Sequence, residues 1–340
     1  MRRVRYHLAL LAFLAAGIYA GAQNSAPLKL LATIPLPELH DGDFDHFAVD
    51  LPGHRLFLAA EENGQVEVFD ATSNKLIHTI KDLKAPHSIV YRPDLNKLFI
   101  VDGEASEIKI YNASTYQKLG QIPLRIDCDS MAYDAKTHMM YVADGGREAH
   151  TPYSFISVVS TDSASKVGDI KIGSNRIEAM ALDSAGTHLF ANITGEDSVG
   201  VIDRTRKALV ATWRLPPEDK QNVPMAYDQR HHRLFVVTRL PGKLIVLDSS
   251  NGKLIADLPA VSSADDASFD PTQDRIYVAG SDFVYVFQEK DPDHYVLLAR
   301  TPGGYRAKTA VVVAPWHRYY LAVPHHGDQV AEVRVFETLP

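Results

Sequence analysis

One pattern recurs seven times along this chain, and it constrains the fold more than any other feature. Each copy holds an apolar strand, a polar turn and a second strand rich in aromatic residues, as in FAVDLPGHRLFLA at 47–59. Self-similarity at a fixed period of this length is typical of repeat architectures built from one supersecondary unit. Equivalent apolar positions in the second strand lie between 42 and 49 residues apart: Leu56, Leu98, Met140, Leu189, Leu234, Ile276 and Tyr319.

Each copy continues with two more strands of alternating apolar and polar residues, such as IKIYN at 108–112 and KLGQIPL at 118–124. Four short strands in about 44 residues are typical of a propeller blade. We therefore predict an all-β, seven-bladed propeller with four antiparallel strands per blade. The last copy lacks a fourth strand, and LKLLATIPL at 28–36 has the pattern of one. We expect this N-terminal strand to complete the last blade, which makes residues 23–340 a single domain.

Several of these segments carry a resemblance to a known family. The segments MYVADGG at 140–146, LFVVTRLPGKLIVLDSSNGKLIADLP at 234–259 and RIYVAGSDFVYVF at 275–287 resemble the YVTN-type repeats of the YncE-like seven-bladed propellers. The resemblance covers nearly all of the chain after the first 22 residues, and it implies the propeller fold. It transfers little function, because one fold supports many functions.

The first 22 residues read as a secretory signal peptide. Arg2, Arg3 and Arg5 precede an apolar stretch at 8–21, and Ala20-Gly21-Ala22 has the small residues of a cleavage site. The alternative is a membrane anchor, but the apolar stretch is shorter than the roughly 20 residues that span a bilayer. We predict cleavage after Ala22, a periplasmic or secreted protein, and no membrane span in its mature form.

Charge and cysteine content exclude several classes of protein. The chain has 35 Lys+Arg and 42 Asp+Glu residues, a net charge of −7 that becomes −10 when the three arginines of the leader are removed. This acidic balance argues against a nucleic-acid partner. With one cysteine, Cys128, no intrachain disulfide can form, and adjacent Asp127 and Asp129 oppose a reactive thiolate. We interpret Cys128 as a buried structural thiol.

The propeller repeat also predicts where a binding site would be. The first strand of each blade lines a central channel, and one equivalent position before or within that strand forms a ring at the channel mouth. Four of its seven members are acids, and clustered carboxylates raise each other's pKa or recruit a cation. The predicted ring consists of Asp45, His87, Asp129, Glu178, Val223, Asp265 and Lys308.

Other candidates for this site come from neighbouring positions and from two long loops on the same face. His46 and Arg306 are close in sequence to ring members, and the long loops of the third and seventh blades contribute His150 and His325. Such loops on a rigid scaffold often carry binding residues. We predict a ligand site over the channel that can hold a divalent metal ion, whose ligands are predicted as His46, His87, Asp129 and Glu178. The alternative is a hydrated channel without a ligand.

Most other histidines are interpreted as structural. His54, His138, His232 and His317 all lie two residues before the recurring apolar position, which indicates a turn of the scaffold.

Two functions remain open at this stage. The first is an exported, non-enzymatic and monomeric propeller that binds a protein, a cell-envelope component or a small molecule through its channel mouth and top loops. The alternative is a metal-dependent hydrolase resembling propeller lactonases, in which Asp45, His46, His87, Asp129, Glu178 and Asp265 would supply ligands or a base. The sequence has no GxSxG elbow, P-loop or HExxH motif. No cofactor is predicted apart from the divalent ion.

Overall fold

The recurring sequence unit corresponds to a four-stranded antiparallel sheet, and seven such sheets follow one another in the computed structural model, which describes residues 26–340. The first strand, β1 Leu28–Pro35, belongs to the last blade. Blade 1 has β2 Phe47–Asp50, β3 Arg55–Ala60, β4 Gln65–Asp70 and β5 Lys75–Ile80, and blade 2 has β6 Pro86–Arg92, β7 Lys97–Asp102, β8 Glu107–Asn112 and β9 Lys118–Pro123. Blade 3 has β10 Met131–Asp134, β11 Met139–Gly145, β12 Ser154–Ser160 and β13 Ser165–Ile172, and blade 4 has β14 Met180–Leu182, β15 His188–Ile193, β16 Ser198–Asp203 and β17 Ala208–Arg214.

The remaining blades have the same plan. Their strands are, for blade 5, β18 Lys220–Asp228, β19 Arg233–Leu240, β20 Gly242–Asp248 and β21 Leu254–Pro259; for blade 6, β22 Asp266–Asp270, β23 Arg275–Gly280, β24 Phe283–Asp291 and β25 His294–Pro302; and for blade 7, β26 Thr309–Val313, β27 Arg318–Val323 and β28 Glu332–Thr338. Three single-turn 3-10 helices lie between strands, at Glu61–Asn63, Thr194–Glu196 and Ala314–Trp316.

The N-terminal strand closes the ring of blades. β1 pairs antiparallel with β28, so blade 7 has the order β1-β28-β27-β26. The pairing runs from Leu28 opposite Thr338 to Pro35 opposite Glu332, and the Leu36 N–H then donates to the Ala331 carbonyl at 2.7 Å. Joining the two ends of the chain in one sheet covers an edge strand that would otherwise be open. The predicted fold class and the predicted closure are both confirmed.

The recurring apolar positions form the core between blades. All seven marker residues are at most 1% exposed. They lie in the second strand of each blade, where alternate side chains face the neighbouring blade. The hydrophobic cluster between blades 7 and 1 contains Leu56 with Ile34 and Leu36 of the closing segment. With no disulfide in the described part of the chain, this apolar packing holds the ring together.

The four recurring histidines are turn residues, as predicted. His54, His138, His232 and His317 have φ between 50° and 59°, in the left-handed region that a tight turn before the second strand requires. They lie at the ends of the sheets away from the predicted channel mouth.

The predicted leader and its cleavage site lie outside the described residues. Across residues 26–340, no helix is both long and apolar enough to cross a bilayer.

Candidate functional site

The first strands of the blades surround a central channel, and its mouth is a cavity of about 270 Å³. All seven residues of the predicted ring line this cavity. They come together because the innermost strands have the same register in every blade, so equivalent positions reach the axis at one level. His46, a further predicted member, also lines it. Charged side chains dominate the wall, and Val223 is the one apolar member of the ring.

Three ring members form a compact cluster on the side of blades 1 to 3. His87 Nδ1 donates to Asp45 Oδ2 at 2.5 Å and lies 3.5 Å from Asp129 Oδ1. One ligand-type atom from each of the three residues lies within 4.8 Å of the other two. One imidazole and two carboxylates are donors that divalent metal ions accept. The cluster is half-buried and faces the cavity.

His46 connects this cluster to blade 6. Its Nε2 lies 3.4 Å from Asp45 Oδ1, and its Nδ1 lies 3.2 Å from Asp266 Oδ1. Both ring nitrogens therefore face carboxylates, which suits an imidazolium that bridges two acids. A metal ion could use His46 only by displacing one of these carboxylates.

The opposite side of the mouth, on blades 5 to 7, is built from closed ion pairs. Lys308 Nζ lies 2.6 Å from Asp265 Oδ2 and 3.2 Å from Asp43 Oδ2. Arg239 also pairs with Asp265, and the predicted site residue Arg306 pairs with Asp43. These acids already have cationic partners, so this side has little negative charge to offer a ligand.

Glu178 has a partner of its own. Arg176 Nε donates to Glu178 Oε1 at 2.6 Å, and Glu178 does not join the Asp45–His87–Asp129 cluster. Of the four predicted metal ligands, the structure places His87 and Asp129 together, and Glu178 and His46 in separate ion pairs. Occupancy by a metal stays a prediction.

Glu61 is a candidate for this site that was not predicted from the sequence. It is the first residue of the 3-10 helix Glu61–Asn63, after the second strand of blade 1, and it lines the mouth beside Asp45 and Asp129. Among residues 26–340, no lysine, arginine or histidine forms an ion pair with its carboxylate, although the charges of His87 and Lys308 oppose the rise of its pKa. The loops between second and third strands were predicted to lie on this face. Candidate residues were taken from the two longest of these loops, in blades 3 and 7, and the loop of blade 1 that holds Glu61 is shorter.

The pKa values of the acids at the mouth reflect their burial and the charges beside them. Burial raises the pKa of Glu61 to about 7, and the charge of Asp45 adds to the effect. Burial likewise raises the pKa of Asp129 to about 7, helped by Asp45 and Glu178 and opposed by His87. Both carboxyl groups therefore hold a proton near neutral pH more readily than an ordinary acid.

The pKa values of the two histidines at the mouth are also raised, although burial acts on them in the opposite direction. Burial alone would lower the pKa of His87, but Asp129 and the hydrogen bond to Asp45 raise it to about 10. Burial also opposes the charged form of His46, and Asp45 and Asp266 outweigh it, so its pKa is raised well above the usual value. Conversely, these two imidazoles hold the pKa of Asp45 well below its usual range despite its burial.

The two loop histidines lie away from the mouth. His150 is exposed in the long loop at 146–153, where its N–H donates to the Arg147 carbonyl. His325 pairs with Asp41 at the protein surface. Neither lines the cavity, although Arg147 from the first of these loops does.

A second cavity continues inward from the mouth. Its volume is about 250 Å³, and it shares His46, Ser130, Ala179 and Asp265 with the mouth. The rest of its wall includes the apolar side chains of Phe47, Ile89, Met131, Met180, Met225 and Val311. The polar site therefore opens at the end of a central channel whose interior is less polar.

Comparison with known proteins supports the family resemblance and leaves function open. No protein-family model matches the chain. The proteins described as uncharacterized protein YncE of Salmonella typhimurium and Salmonella typhi are each 26% identical over 148 residues, which is 43% of this chain and 40% of theirs. The chain thus matches less than half the length of these relatives. With seven blades of four strands, this similarity confirms the predicted likeness to YncE-like propellers.

Solved structures show the same fold at low sequence identity. A chain of Kuenenia stuttgartiensis hydrazine synthase is similar with a TM-score of 0.75 and 17% identity, over 88% of this chain and 97% of that one. A chain of the mitotic checkpoint complex gives a TM-score of 0.74 and 12% identity, over 98% of this chain and 100% of that one. At these identities the likeness concerns the fold alone.

Proposed function

We propose that this chain is a ligand-binding protein whose channel mouth binds a small, positively charged group. Its fold is that of a propeller similar to the YncE-like family, with a charged cavity at the end of the channel. The observation that carries this proposal is the excess of acids on one side of the mouth. Among residues 26–340, Glu61 forms no ion pair, and Asp129 shares the single imidazole of His87 with Asp45. Buried carboxylates are stabilised by a nearby cation. A bound positive charge would therefore gain most on this side of the mouth.

The two sides of the mouth differ in a way that suits this ligand. On the side of blades 5 to 7, Lys308 and Arg239 neutralise Asp265, whereas Glu61 faces the cavity with no such partner. A volume of about 270 Å³ fits a hydrated metal ion or a small organic ammonium compound rather than a folded protein segment.

A metal-dependent hydrolase is the second candidate, and the Asp45–His87–Asp129 cluster is the observation that favours it. A divalent ion held there could polarise a carbonyl group or activate water. The positive charge bound at the mouth would then be the metal ion, and a substrate would reach that ion through the cavity.

The test is equilibrium binding by titration calorimetry with chelator-treated protein, using Mn²⁺, Ca²⁺, Zn²⁺ and small mono- and diammonium compounds. The proposal predicts that at least one of these binds and that Asp129→Asn and Glu61→Gln each weaken its binding about tenfold or more, since each removes a negative charge. Glu178→Gln is the matched control, because that acid is already paired with Arg176.

Two results would contradict the proposal: no member of the panel binds, or Glu178→Gln weakens binding as much as Asp129→Asn does. A screen of lactone and ester hydrolysis with the metal that binds best separates the two functions. Hydrolysis that is lost in Asp129→Asn supports the enzyme, and binding without hydrolysis supports the non-enzymatic protein.

We also propose that the protein is exported and processed. The basic start, the apolar stretch and the Ala20-Gly21-Ala22 sequence support this. Mass spectrometry of the full chain produced in a bacterial host should find the mature protein starting at Gln23, in the periplasm or the medium. An intact chain retained in the cytoplasm would contradict the proposal.

A further inference from the structure

A second cluster of metal-binding side chains lies at a junction between blades, away from the channel mouth. The cluster lies at a position that is equivalent in all seven blades, close to the end of the third strand. There a backbone N–H donates to the carbonyl of the turn residue that precedes the second strand of the same blade. The residues at this junction position are Ala71, Ala113, Thr161, Arg204, Ser249, Glu289 and Thr338.

At several junctions a donor of one blade meets an acceptor of the next. Arg204 of blade 4 donates to Asp134 of blade 3, and the Arg92 guanidinium of blade 2 donates to the Thr161 hydroxyl of blade 3. These contacts join neighbouring blades by complementary groups.

In blade 6 the residue at this junction position is an acid, Glu289. Glu289 faces Asp228, the last residue of the first strand of blade 5, so two carboxylates meet across the junction. Asp228 is 1% exposed and Glu289 is 3% exposed, which removes most of the water that would otherwise screen them. Two buried like charges at this range are unfavourable unless a cation lies between them.

His231 is the only side chain placed between the two acids among residues 26–340. Its Nδ1 lies 2.8 Å from Asp228 Oδ2 and 2.9 Å from Glu289 Oε1. One N–H can point at one acceptor, and it is directed at Glu289. Asp228 Oδ2 and Glu289 Oε2 are both buried and accept no hydrogen bond.

The neighbouring donors are already engaged. The Arg230 guanidinium pairs with Asp274, and the Tyr295 hydroxyl donates to the Pro292 carbonyl at 2.9 Å, leaving a contact of 3.4 Å to Glu289 Oε1. The backbone N–H of Arg230 donates to Asp228 Oδ1 at 2.9 Å, so Oδ2 is the oxygen of that carboxylate that accepts no hydrogen bond. The junction thus places one ligand-type atom of each of the three residues within 4.8 Å of the other two. A metal ion at this point would displace the proton that His231 now shares with Glu289.

We propose that Asp228, His231 and Glu289 form a Zn²⁺ site that joins blade 5 to blade 6. Nitrogen and carboxylate oxygen are zinc ligands, and three protein ligands with one open position are a common set. Bonds of about 2.1 Å in a tetrahedral arrangement place donor atoms about 3.4 Å apart, so the ligands would spread by roughly 0.5 Å on binding. His231, with 28% of its side chain exposed, gives the ion an entry path and a water molecule the fourth position.

The test combines zinc calorimetry with anomalous diffraction at the zinc edge on the full mature chain. Chelator-treated protein should bind Zn²⁺, melt at a higher temperature in its presence, and show an anomalous peak between Asp228 and Glu289. Glu289→Gln should weaken zinc binding at this site about tenfold or more and remove the peak, because a neutral amide is a poor zinc ligand. His231→Gln provides a second disruption that leaves both acids in place.

The adjacent turn histidine gives the control. His232→Gln should keep the peak and the thermal shift, since His232 contacts the Tyr227 hydroxyl rather than the acids. The channel mouth also offers metal ligands, so the titration is repeated in Asp129→Asn, which should leave the junction peak unchanged even if the mouth binds nothing. A zinc-soaked crystal without a peak at this junction, or Glu289→Gln that binds zinc there as the unaltered protein does, would overturn the proposal.

Discussion

Cation binding at the channel mouth should weaken steeply as the pH falls through neutrality. The pKa of Glu61 and that of Asp129 are both raised to about 7, so each carboxyl group carries a proton below that pH. A bound positive charge displaces these protons, and binding therefore competes with protonation. For one group with a pKa near 7, the deprotonated fraction falls about tenfold between about pH 8 and about pH 6, and two such groups acting independently give about a hundredfold loss of affinity.

The assay is titration calorimetry at several pH values with the cation that binds best. In Glu61→Gln, the ratio of the affinities at about pH 8 and about pH 6 should fall from about a hundredfold to about tenfold, because one titrating group is gone. His87 has a pKa raised to about 10, so it stays protonated over this range. If the ligand is a metal that binds His87 itself, the lost imidazole proton adds about tenfold per pH unit.

One result would refute this reasoning. Carboxylates with ordinary pKa values near 4 stay ionised down to about pH 5. An affinity that is constant between about pH 8 and about pH 6 and falls only in more acidic solution would show that Glu61 and Asp129 are ordinary exposed acids. The mouth would then lack the buried negative charge on which the proposed function depends.

Three further outcomes are expected. Leu36→Ala, just after the closing strand β1, should lower the free energy of unfolding by about 2–5 kcal/mol in urea titrations, because Leu36 is 2% exposed. Leu30→Ala on β1, at a site 52% exposed, should change it by no more than about 0.5 kcal/mol, and equal effects of the two substitutions would contradict the closure. Burial, with the charges of nearby acids, raises the pKa of the Cys128 thiol, so iodoacetamide should label it at least about a hundredfold more slowly in the folded than in the urea-unfolded protein, as followed by mass spectrometry. His87 contributes stability that is fully present below about pH 6.5 and lost as the pH rises to about 10, so the urea midpoint should fall more between these values in the unaltered protein than in His87→Gln.

The fold and the position of the mouth could be predicted because both depend on the register of a repeat. Strand alternation has a fixed period of two, so residues at equivalent positions in each copy must point the same way. For this reason the ring from Asp45 to Lys308 could be counted from the sequence, and all of it lines one cavity. The same counting identified His54 and its equivalents as turn residues.

The rest of the site depends on loops and on long side chains, whose paths have no period. Glu61 lies on a short 3-10 helix after a strand, and Arg239 reaches Asp265 from the end of β19. Loop length alone was a poor guide, because His150 and His325 lie in long loops and away from the cavity. A carboxylate that looks available in the sequence, such as Glu178, can also be neutralised by an arginine two residues earlier.

Anomalous diffraction from crystals soaked in Mn²⁺ at about pH 8 tests the central claim most directly. If the mouth takes a positive charge, the map should contain a peak in the cavity within ligand distance of Asp129, and the peak should be absent from crystals of Asp129→Asn and present in those of Glu178→Gln. A cavity without a peak in the unaltered protein, or a peak that persists in Asp129→Asn, would contradict the claim that Glu61 and Asp129 make the mouth a cation-binding site.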